Sequence, residues 1–213
     1  MKRALVRASL GLLSFAFASP ARAGDPQSID GDLRDYYGGE RTSAYVVIGI
    51  GVPAAVAGGV LATRDGDFER GLGWPLLTMG AVEAVGAVFY AVKVGGEIDH
   101  YESLLARSPT DYRAQELDHI DGTTSRFVGY RLGELGLTLA GAGIAAYGFA
   151  ADRDAWKGVG IGVGGMALPF LIIDTVNNAR ATRYRDRVRG FQPTVGVAPS
   201  PAGGWTLSLA GSF

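Results

Sequence analysis

Five ionisable residues lie inside or at the ends of long apolar stretches of this 213-residue chain: Glu83, Lys93, Arg131, Glu134 and Asp174. A charged side chain is costly inside a membrane, so residues of this kind usually belong to a functional site. Glu83 lies near the middle of its stretch, and we expect no ionisable partner at its depth. Its carboxyl group either takes up a proton and donates a hydrogen bond, or lines a wet cavity and carries protons or cations.

The other four ionisable residues are expected to lie together. Arg131 and Glu134 are three positions apart and therefore share a helix face, and Asp174 lies near the end of the last apolar stretch. If the helices pack antiparallel, these three residues and Lys93 reach similar depths near one membrane surface. We interpret them as a cluster of ion pairs that holds the helices together.

The two histidines of the chain occur in near copies of one tetrapeptide, at residues 97–100 and 116–119. Between the copies, Ser108 has the side chain of a helix N-cap, Pro109 suits the first helical position and Asp111 suits the first turn. We therefore expect two short helices that fold back on each other here. Such a fold brings the start of the first helix beside the end of the second, and the two histidines close together.

Four residues of this segment are candidate metal ligands: Glu97, His100, Glu116 and His119. Imidazole and carboxylate groups are typical ligands of Zn²⁺ and Mn²⁺, which are therefore the cofactors that the segment could hold. The spacing matches no established metal motif, and acidic loop residues are commonly just solvated. Metal binding is accordingly one of two interpretations of this segment.

No sequence motif indicates catalysis. The chain has no nucleophile elbow, no phosphate-binding loop and no dinucleotide fingerprint, so we do not expect an enzyme. Its net charge of -1 at pH 7 provides no surplus of Lys and Arg for a nucleic-acid partner. Because the chain has no cysteine, a disulfide scaffold and a zinc-cysteine module are excluded.

Four apolar stretches must position these side chains, at residues 43–63, 72–94, 127–151 and 158–177. Each is close to the roughly 20 residues that a helix needs to cross a bilayer. Short polar connections join the stretches into two pairs, and a polar segment at residues 95–126 separates the pairs. The sequence therefore predicts an all-α membrane protein whose four transmembrane helices form two helical hairpins. A soluble bundle of buried helices is the alternative.

Glycine and alanine recur at four-residue spacing in every apolar stretch, and the chain has 33 glycines. Small residues let helix backbones approach closely in lipid, so we expect tight packing within the bundle or between copies of it. The two predicted hairpins also resemble each other, because residues 71–73 (Gly-Leu-Gly) match residues 158–160 (Gly-Val-Gly). Met79 matches Met166 at the same separation. The sequence predicts a parallel internal duplication.

The amino terminus has the three parts of a secretory signal peptide, over residues 1–23. Basic residues come first, then the apolar residues 8–18, then an Ala-Arg-Ala cleavage site at residues 21–23. A first membrane helix is the alternative. Export would place a polar arm (residues 24–42), the central segment and the tail outside the cytoplasm, although the distribution of Lys and Arg favours the opposite orientation.

The tail, residues 179–213, has two predicted parts. Its basic segment contains five arginines that could bind anionic lipid headgroups or stabilise the helix end: Arg180, Arg183, Arg185, Arg187 and Arg189. Alternating apolar residues at 194–198 and 205–213 flank a Pro- and Gly-rich turn and predict a short carboxyl-terminal β-hairpin. The last nine residues resemble the carboxyl-terminal signal of outer-membrane barrel proteins but depart from it at Gly211.

These features predict an integral membrane protein of the bacterial cell envelope, in the inner rather than the outer membrane, with a structural or assembly role. Its membrane domain covers residues 43–178, and its central segment and tail are exported. Membrane lipids, a second copy of the chain or another envelope protein are the expected partners. The alternatives are a small ion-coupled transporter or channel-like protein that uses Glu83, and an envelope protein that binds metal through the central segment.

Overall fold

The structure, a computed structural model, describes residues 26–200 and 204–212, with side chains described over residues 28–193. Most of this part of the chain forms four long helices: α1 (Pro26–Ala62), α2 (Asp67–Arg107), α3 (Pro109–Ala150) and α4 (Asp154–Gly190). The prediction of four helices is confirmed for the described residues. The predicted signal peptide, residues 1–23, lies outside them.

Each helix is about twice as long as a membrane is thick. The helices have 37 to 42 residues, and a rise of about 1.5 Å per residue makes them roughly 55 to 63 Å long, against about 30 Å of hydrocarbon. All four are long and apolar enough to cross a membrane. Their polar halves project together beyond it, and we call this part the extramembrane bundle: residues 26–42, 95–107, 109–126 and 178–190.

The polar segments continue the membrane helices and do not form a separate arm or loop. A single helix runs through the predicted arm, and the central segment extends α2 and α3 on either side of one sharp break. The break lies at Ser108, with Pro109 at the start of α3, as predicted. The Ser108 hydroxyl donates a hydrogen bond to Asp111 Oδ2 at 2.6 Å. Hydropathy delimited the apolar part of each helix. Polar residues such as Glu and Arg also favour helix, so the helices continue past the end of the apolar stretch.

The two halves of the molecule bury different kinds of residue. Large side chains fill the core of the extramembrane bundle, among them Leu33, Tyr37, Tyr112, Ile120 and Val188. In the apolar halves many large side chains point outward, and Phe89 is 80% exposed and Val82 70%, although Phe127 and Phe170 are buried. An apolar exterior around contacts between small residues is the arrangement expected for helices surrounded by lipid.

Glycines bring the helices of each hairpin into backbone contact. In the first hairpin, a Cβ built on Gly51 would lie 2.7 Å from the Gly80 carbonyl oxygen, and one built on Gly80 would lie 2.7 Å from the Gly51 oxygen. In the second, a Cβ on Gly141 would lie 2.8 Å from the Gly160 oxygen, and one on Gly160 would lie 2.6 Å from the Gly141 oxygen. There is no room for a side chain at these four positions.

The two hairpins pack on each other through α2 and α4, and the contact is reciprocal. A Cβ on Gly71 would strike the Ala155 carbonyl oxygen, and a Cβ on Gly158 would strike the Phe68 oxygen. Gly158 and Ala155 follow Gly71 and Phe68 by the same 87 residues. This is the separation that relates the matching sequence segments, so the packing has the two-fold reciprocity that a parallel duplication produces.

Two nine-residue strands follow α4: β1 (Gln192–Ser200) and β2 (Gly204–Ser212). They pair antiparallel, with Val195 opposite Leu209. The predicted turn of the β-hairpin includes residues 201–203, which lie outside the described residues. The strands make few contacts with the helices and do not contribute to the site described below.

Candidate functional site

A crevice of about 380 Å³ lies where the apolar and polar halves of the bundle meet, and all four helices line it. Its mouth lies at the boundary of the extramembrane bundle and is lined by Lys93 and Glu97 of α2 and His119 of α3. Its floor reaches into the apolar half as far as Glu83. The crevice therefore leads from the polar surface of the protein to the carboxylate that the sequence placed deepest in the membrane.

The mouth contains a compact set of charged groups. Lys93 Nζ lies 2.8 Å from Glu97 Oε1, and His119 Nε2 lies 3.9 Å from the same oxygen. Burial lowers the pKa of His119, so its ring is neutral at pH 7 and the Lys93 ammonium is the main partner of Glu97. Lys93 was predicted to join Arg131, Glu134 and Asp174, but it is paired with Glu97, one helical turn further along α2.

Glu40 forms part of the floor and has an unusual environment. Its side chain is only 1% exposed, and the Tyr90 hydroxyl donates a hydrogen bond to its Oε2. Its Oε1 has no hydrogen-bond donor among the described residues. Burial raises the pKa of Glu40, while the Tyr90 hydrogen bond and the charge of Arg180 act in the opposite direction.

Arg180 is held beside Glu40 by neighbouring polar groups. Its Nη1 donates a hydrogen bond to Asn177 Oδ1 at 3.0 Å, and the Ser43 hydroxyl donates to the same oxygen at 2.7 Å. Gly39 makes room for the guanidinium, because a Cβ at that position would lie 2.5 Å from Arg180 Cζ. Glu40 was not among the residues that the sequence indicated. Glu40 follows Tyr36 by four residues and therefore shares a helix face with it. In a polar segment, this spacing alone does not identify a functional carboxyl group.

Three carboxyl groups meet inside the apolar half, and we call them the carboxylate cluster: Glu83 of α2, Glu134 of α3 and Asp174 of α4. Glu134 and Asp174 are hydrogen-bonding neighbours, and Glu83 lies close enough for its charge to act on both. Arg131 acts on Asp174 at longer range but forms no direct ion pair with the cluster in the described part of the chain.

The prediction that Glu83 has no partner at its depth was wrong. The 87-residue relation between the hairpins aligns Asp174 with Ala87, one helical turn from Glu83. Counting residues along each apolar stretch placed the two carboxyl groups at different depths. Four residues of helix rise only about 6 Å, however, and two acidic side chains can reach across that distance. The expected cluster of ion pairs also differs from the observed one, because carboxyl groups outnumber the single arginine.

The four candidate metal ligands occupy three separate places. Glu97 and His119 are together at the crevice mouth, whereas His100 is exposed and packs its ring against Tyr101 with centroids 4.9 Å apart. Glu116 is fully buried in the extramembrane bundle. Within the described residues, no group of three or more His, Cys, Asp or Glu side chains could hold a metal ion.

Glu116 lies in a cage of tyrosines that the sequence did not indicate. Tyr37 of α1 donates to its two oxygens at 3.0 and 3.2 Å, and Tyr101 of α2 and Tyr184 of α4 are further hydrogen-bond neighbours. Burial raises the pKa of Glu116 from 4.5 to about 7, although these hydrogen bonds oppose the shift. The carboxyl group therefore changes its charge near neutral pH.

Four of the five tail arginines are engaged within the protein. Besides Arg180, Arg187 lies 3.7 Å from Asp32, and Arg185 and Arg189 lie 3.8 and 3.5 Å from Asp121. Arg183 is exposed. Because α4 continues as a straight extension, Arg189 lies about 18 Å beyond Asn177 at a rise of about 1.5 Å per residue. Of this set, Arg183 is the one best placed for a lipid headgroup.

Comparison of the chain with protein-family models, with characterised proteins and with solved structures gives no match. The functional argument therefore depends on the crevice, the carboxylate cluster and the extramembrane bundle.

Proposed function

We propose that this chain is a small proton-coupled membrane protein whose carboxylate cluster binds protons that enter through the crevice. The observation that supports this proposal is the charge imbalance of the cluster. Glu83, Glu134 and Asp174 carry three negative charges when ionised, and Arg131 supplies one positive charge without direct contact. Carboxylates so close together repel each other unless a proton or a cation lies between them.

The crevice supplies the route. Glu83 belongs to both the crevice lining and the cluster, so a proton that enters at the mouth reaches Asp174 and Glu134 through one side chain. On the opposite side of the membrane, α2 and α4 are in close backbone contact at Gly71 and Gly158. We therefore expect proton exchange from the side of the extramembrane bundle, where the crevice opens.

Infrared difference spectroscopy between acidic and alkaline buffers tests proton binding directly. We expect the purified protein to show the C=O band of protonated carboxyl groups and to lose it reversibly at alkaline pH. In the double variant Glu134→Gln, Asp174→Asn the band should decrease, with a remainder from other buried carboxyl groups such as Glu40 and Glu116. The matched control is Asp99→Asn, which neutralises an exposed carboxylate on α2 and should leave the band unchanged. Equal spectra for the double variant and the wild type would contradict the proposal.

We further propose that the protein resides in the inner membrane of a bacterial envelope with the extramembrane bundle exported. The amino-terminal sequence supports this location, and membrane lipids and envelope proteins are the partners it implies. A structural or assembly role stays a prediction beside proton binding, and so does the metal-dependent alternative.

Cysteine labelling tests the orientation, because the native chain contains no cysteine. In cells with a permeabilised outer membrane, an impermeant maleimide should label Asp99→Cys, in the extramembrane bundle, and should not label Asp65→Cys, in the connection between α1 and α2. Both positions are exposed, so lysed cells should label both. The reverse pattern in intact cells would show that the Lys and Arg distribution, and not the predicted signal peptide, indicates the orientation.

A further inference from the structure

The crevice has more space than a proton requires. Its volume of about 380 Å³ is within the range of pockets that hold small organic molecules, about 300 to 1,000 Å³. Val47, Ala87 and Phe127 form an apolar wall, and Glu40 and Glu83 form an acidic floor. A ligand that matches both surfaces has a hydrocarbon body and a positive charge.

Glu40 specifies the kind of positive charge. Its Oε2 accepts the Tyr90 hydrogen bond, but its buried Oε1 has no donor within the described residues. A buried acceptor without a partner costs about 1 to 3 kcal/mol, more when it is charged, so this oxygen favours a ligand that donates a hydrogen bond. A primary or secondary ammonium supplies both the charge and the donor. A quaternary ammonium supplies only the charge.

The charges around the crevice favour a single cation. Three carboxylates line it, Glu40, Glu83 and Glu97, and two cations face them, Lys93 and Arg126. Lys93 is paired with Glu97 at the mouth, and Arg126 donates a hydrogen bond to Thr123 Oγ1 at 2.9 Å. Neither Glu40 nor Glu83, on the floor, forms a salt bridge within the described residues, although the charge of Arg180 acts on Glu40. The floor can therefore take up one further cation.

Aromatic rings line the space between mouth and floor. Tyr90 and Tyr130 line the crevice, and Phe127, which also lines it, is nearly fully buried. A cation within about 6 Å of an aromatic face gains further attraction, and an apolar body gains contact area. The crevice thus offers complementary contacts to both ends of an amphiphilic amine.

We propose that the crevice binds a small organic amine in its protonated form, with an ammonium N–H donated to Glu40 Oε1 and the hydrocarbon body against Phe127, Val47 and Ala87. This site shares the crevice and Glu83 with the proposed proton route, but it does not include Glu134 or Asp174. Because ligand binding is measured directly, the two proposals can fail independently.

Isothermal titration calorimetry of the full-length protein in detergent tests the proposal with three probes of similar shape. They are 2-phenylethylamine, its N,N,N-trimethyl derivative and 2-phenylethanol. We expect 2-phenylethylamine to bind, and the other two to bind at least tenfold more weakly, because one lacks an N–H donor and the other lacks the charge. Absence of 2-phenylethylamine binding, or equal affinity for the amine and its trimethyl derivative, would overturn the proposal.

Two variants locate the site. Glu40→Gln should weaken 2-phenylethylamine binding at least tenfold, and Ala87→Leu should weaken it similarly by filling the apolar part of the crevice while leaving Glu40 in place. Asp99→Asn is the control and should bind as the wild type does. Circular dichroism establishes that each variant keeps its helical content. If both crevice variants remain folded and bind normally, the amine lies elsewhere and the assignment is wrong.

Discussion

Between about pH 4.5 and about pH 7, the protein is expected to lose about 3 kcal/mol of stability through one side chain, Glu116, as the pH rises. Burial raises the pKa of this carboxyl group from 4.5 to about 7. One pKa unit corresponds to about 1.4 kcal/mol of difference between the two protonation states. The corresponding free energy is thus a substantial part of the free energy of unfolding of a typical domain.

The direction follows from the protonation of the folded and unfolded states. Below about pH 4.5 the carboxyl group is protonated in both, and its full contribution to stability is present. Above that pH the unfolded chain releases the proton while the folded protein retains it, so rising pH favours unfolding. Above about pH 7 both states are ionised and the loss is complete.

Groups from every neighbouring helix face Glu116 and determine how much of this loss is observed. Tyr37, Tyr101 and Tyr184 donate hydrogen bonds that partly stabilise the ionised form, and Glu97 opposes it by its own charge. His119, whose pKa is lowered by burial, contributes the opposite trend, because rising pH favours its neutral folded form. The net pH dependence of the wild type combines these two contributions with that of Glu40, whose pKa is also raised by burial.

Two substitutions separate these contributions. Thermal unfolding in detergent, followed by circular dichroism over a series of pH values, should show a steeper loss with rising pH in His119→Gln than in the wild type. In Glu116→Gln, which cannot ionise at this position, the loss between pH 4.5 and 7 should be smaller than in the wild type. If Glu116→Gln keeps the wild-type pH dependence, the buried carboxyl group is not its source.

Replacement of Gly160 by alanine is expected to reduce the free energy of unfolding by about 1 to 3 kcal/mol, the usual cost of overpacking a close contact. Its new Cβ would lie 2.6 Å from the Gly141 carbonyl oxygen and equally close to Ala145 Cα. Both obstacles are backbone atoms, so α3 and α4 must separate. Replacement of Gly160 by leucine should reduce the free energy of unfolding further.

The duplicated packing predicts that Gly73→Ala reduces the free energy of unfolding by a similar amount in the first hairpin. Gly73 precedes Gly160 by the 87 residues that relate the two hairpins, and its Cβ would lie 2.8 Å from the Gly58 oxygen. Gly136→Ala is the control on α3, because nothing described lies within 4 Å of a Cβ there. Alanine favours helix over glycine by about 1 kcal/mol, so this control should be neutral or stabilising. Equal effects at Gly160 and Gly136 would contradict the assigned contacts.

Local features of the sequence were sufficient to predict the helices and their pairing. An apolar stretch of about 20 residues by itself predicts a helix that crosses a membrane. A connection of a few polar residues forces neighbouring helices to pack antiparallel. The break at Ser108 was equally predictable, because a proline favours the first helical position, although the Ser108 hydroxyl donates to Asp111 and does not cap a backbone N–H. Glycine spacing also indicated close helix contacts, although Gly136, which has the same spacing, faces open space.

By itself, then, the sequence determined that the apolar segments are helical and where the chain reverses, but not that α1 also continues through the predicted polar arm. Only the tertiary structure decided which side chains meet. Asp174 reaches Glu83, Tyr90 binds Glu40, and three helices surround Glu116 because of how the helices are rotated and crossed at their glycine contacts. Rotation and crossing depend on pairs of residues far apart in the chain, and no single stretch of sequence contains that information.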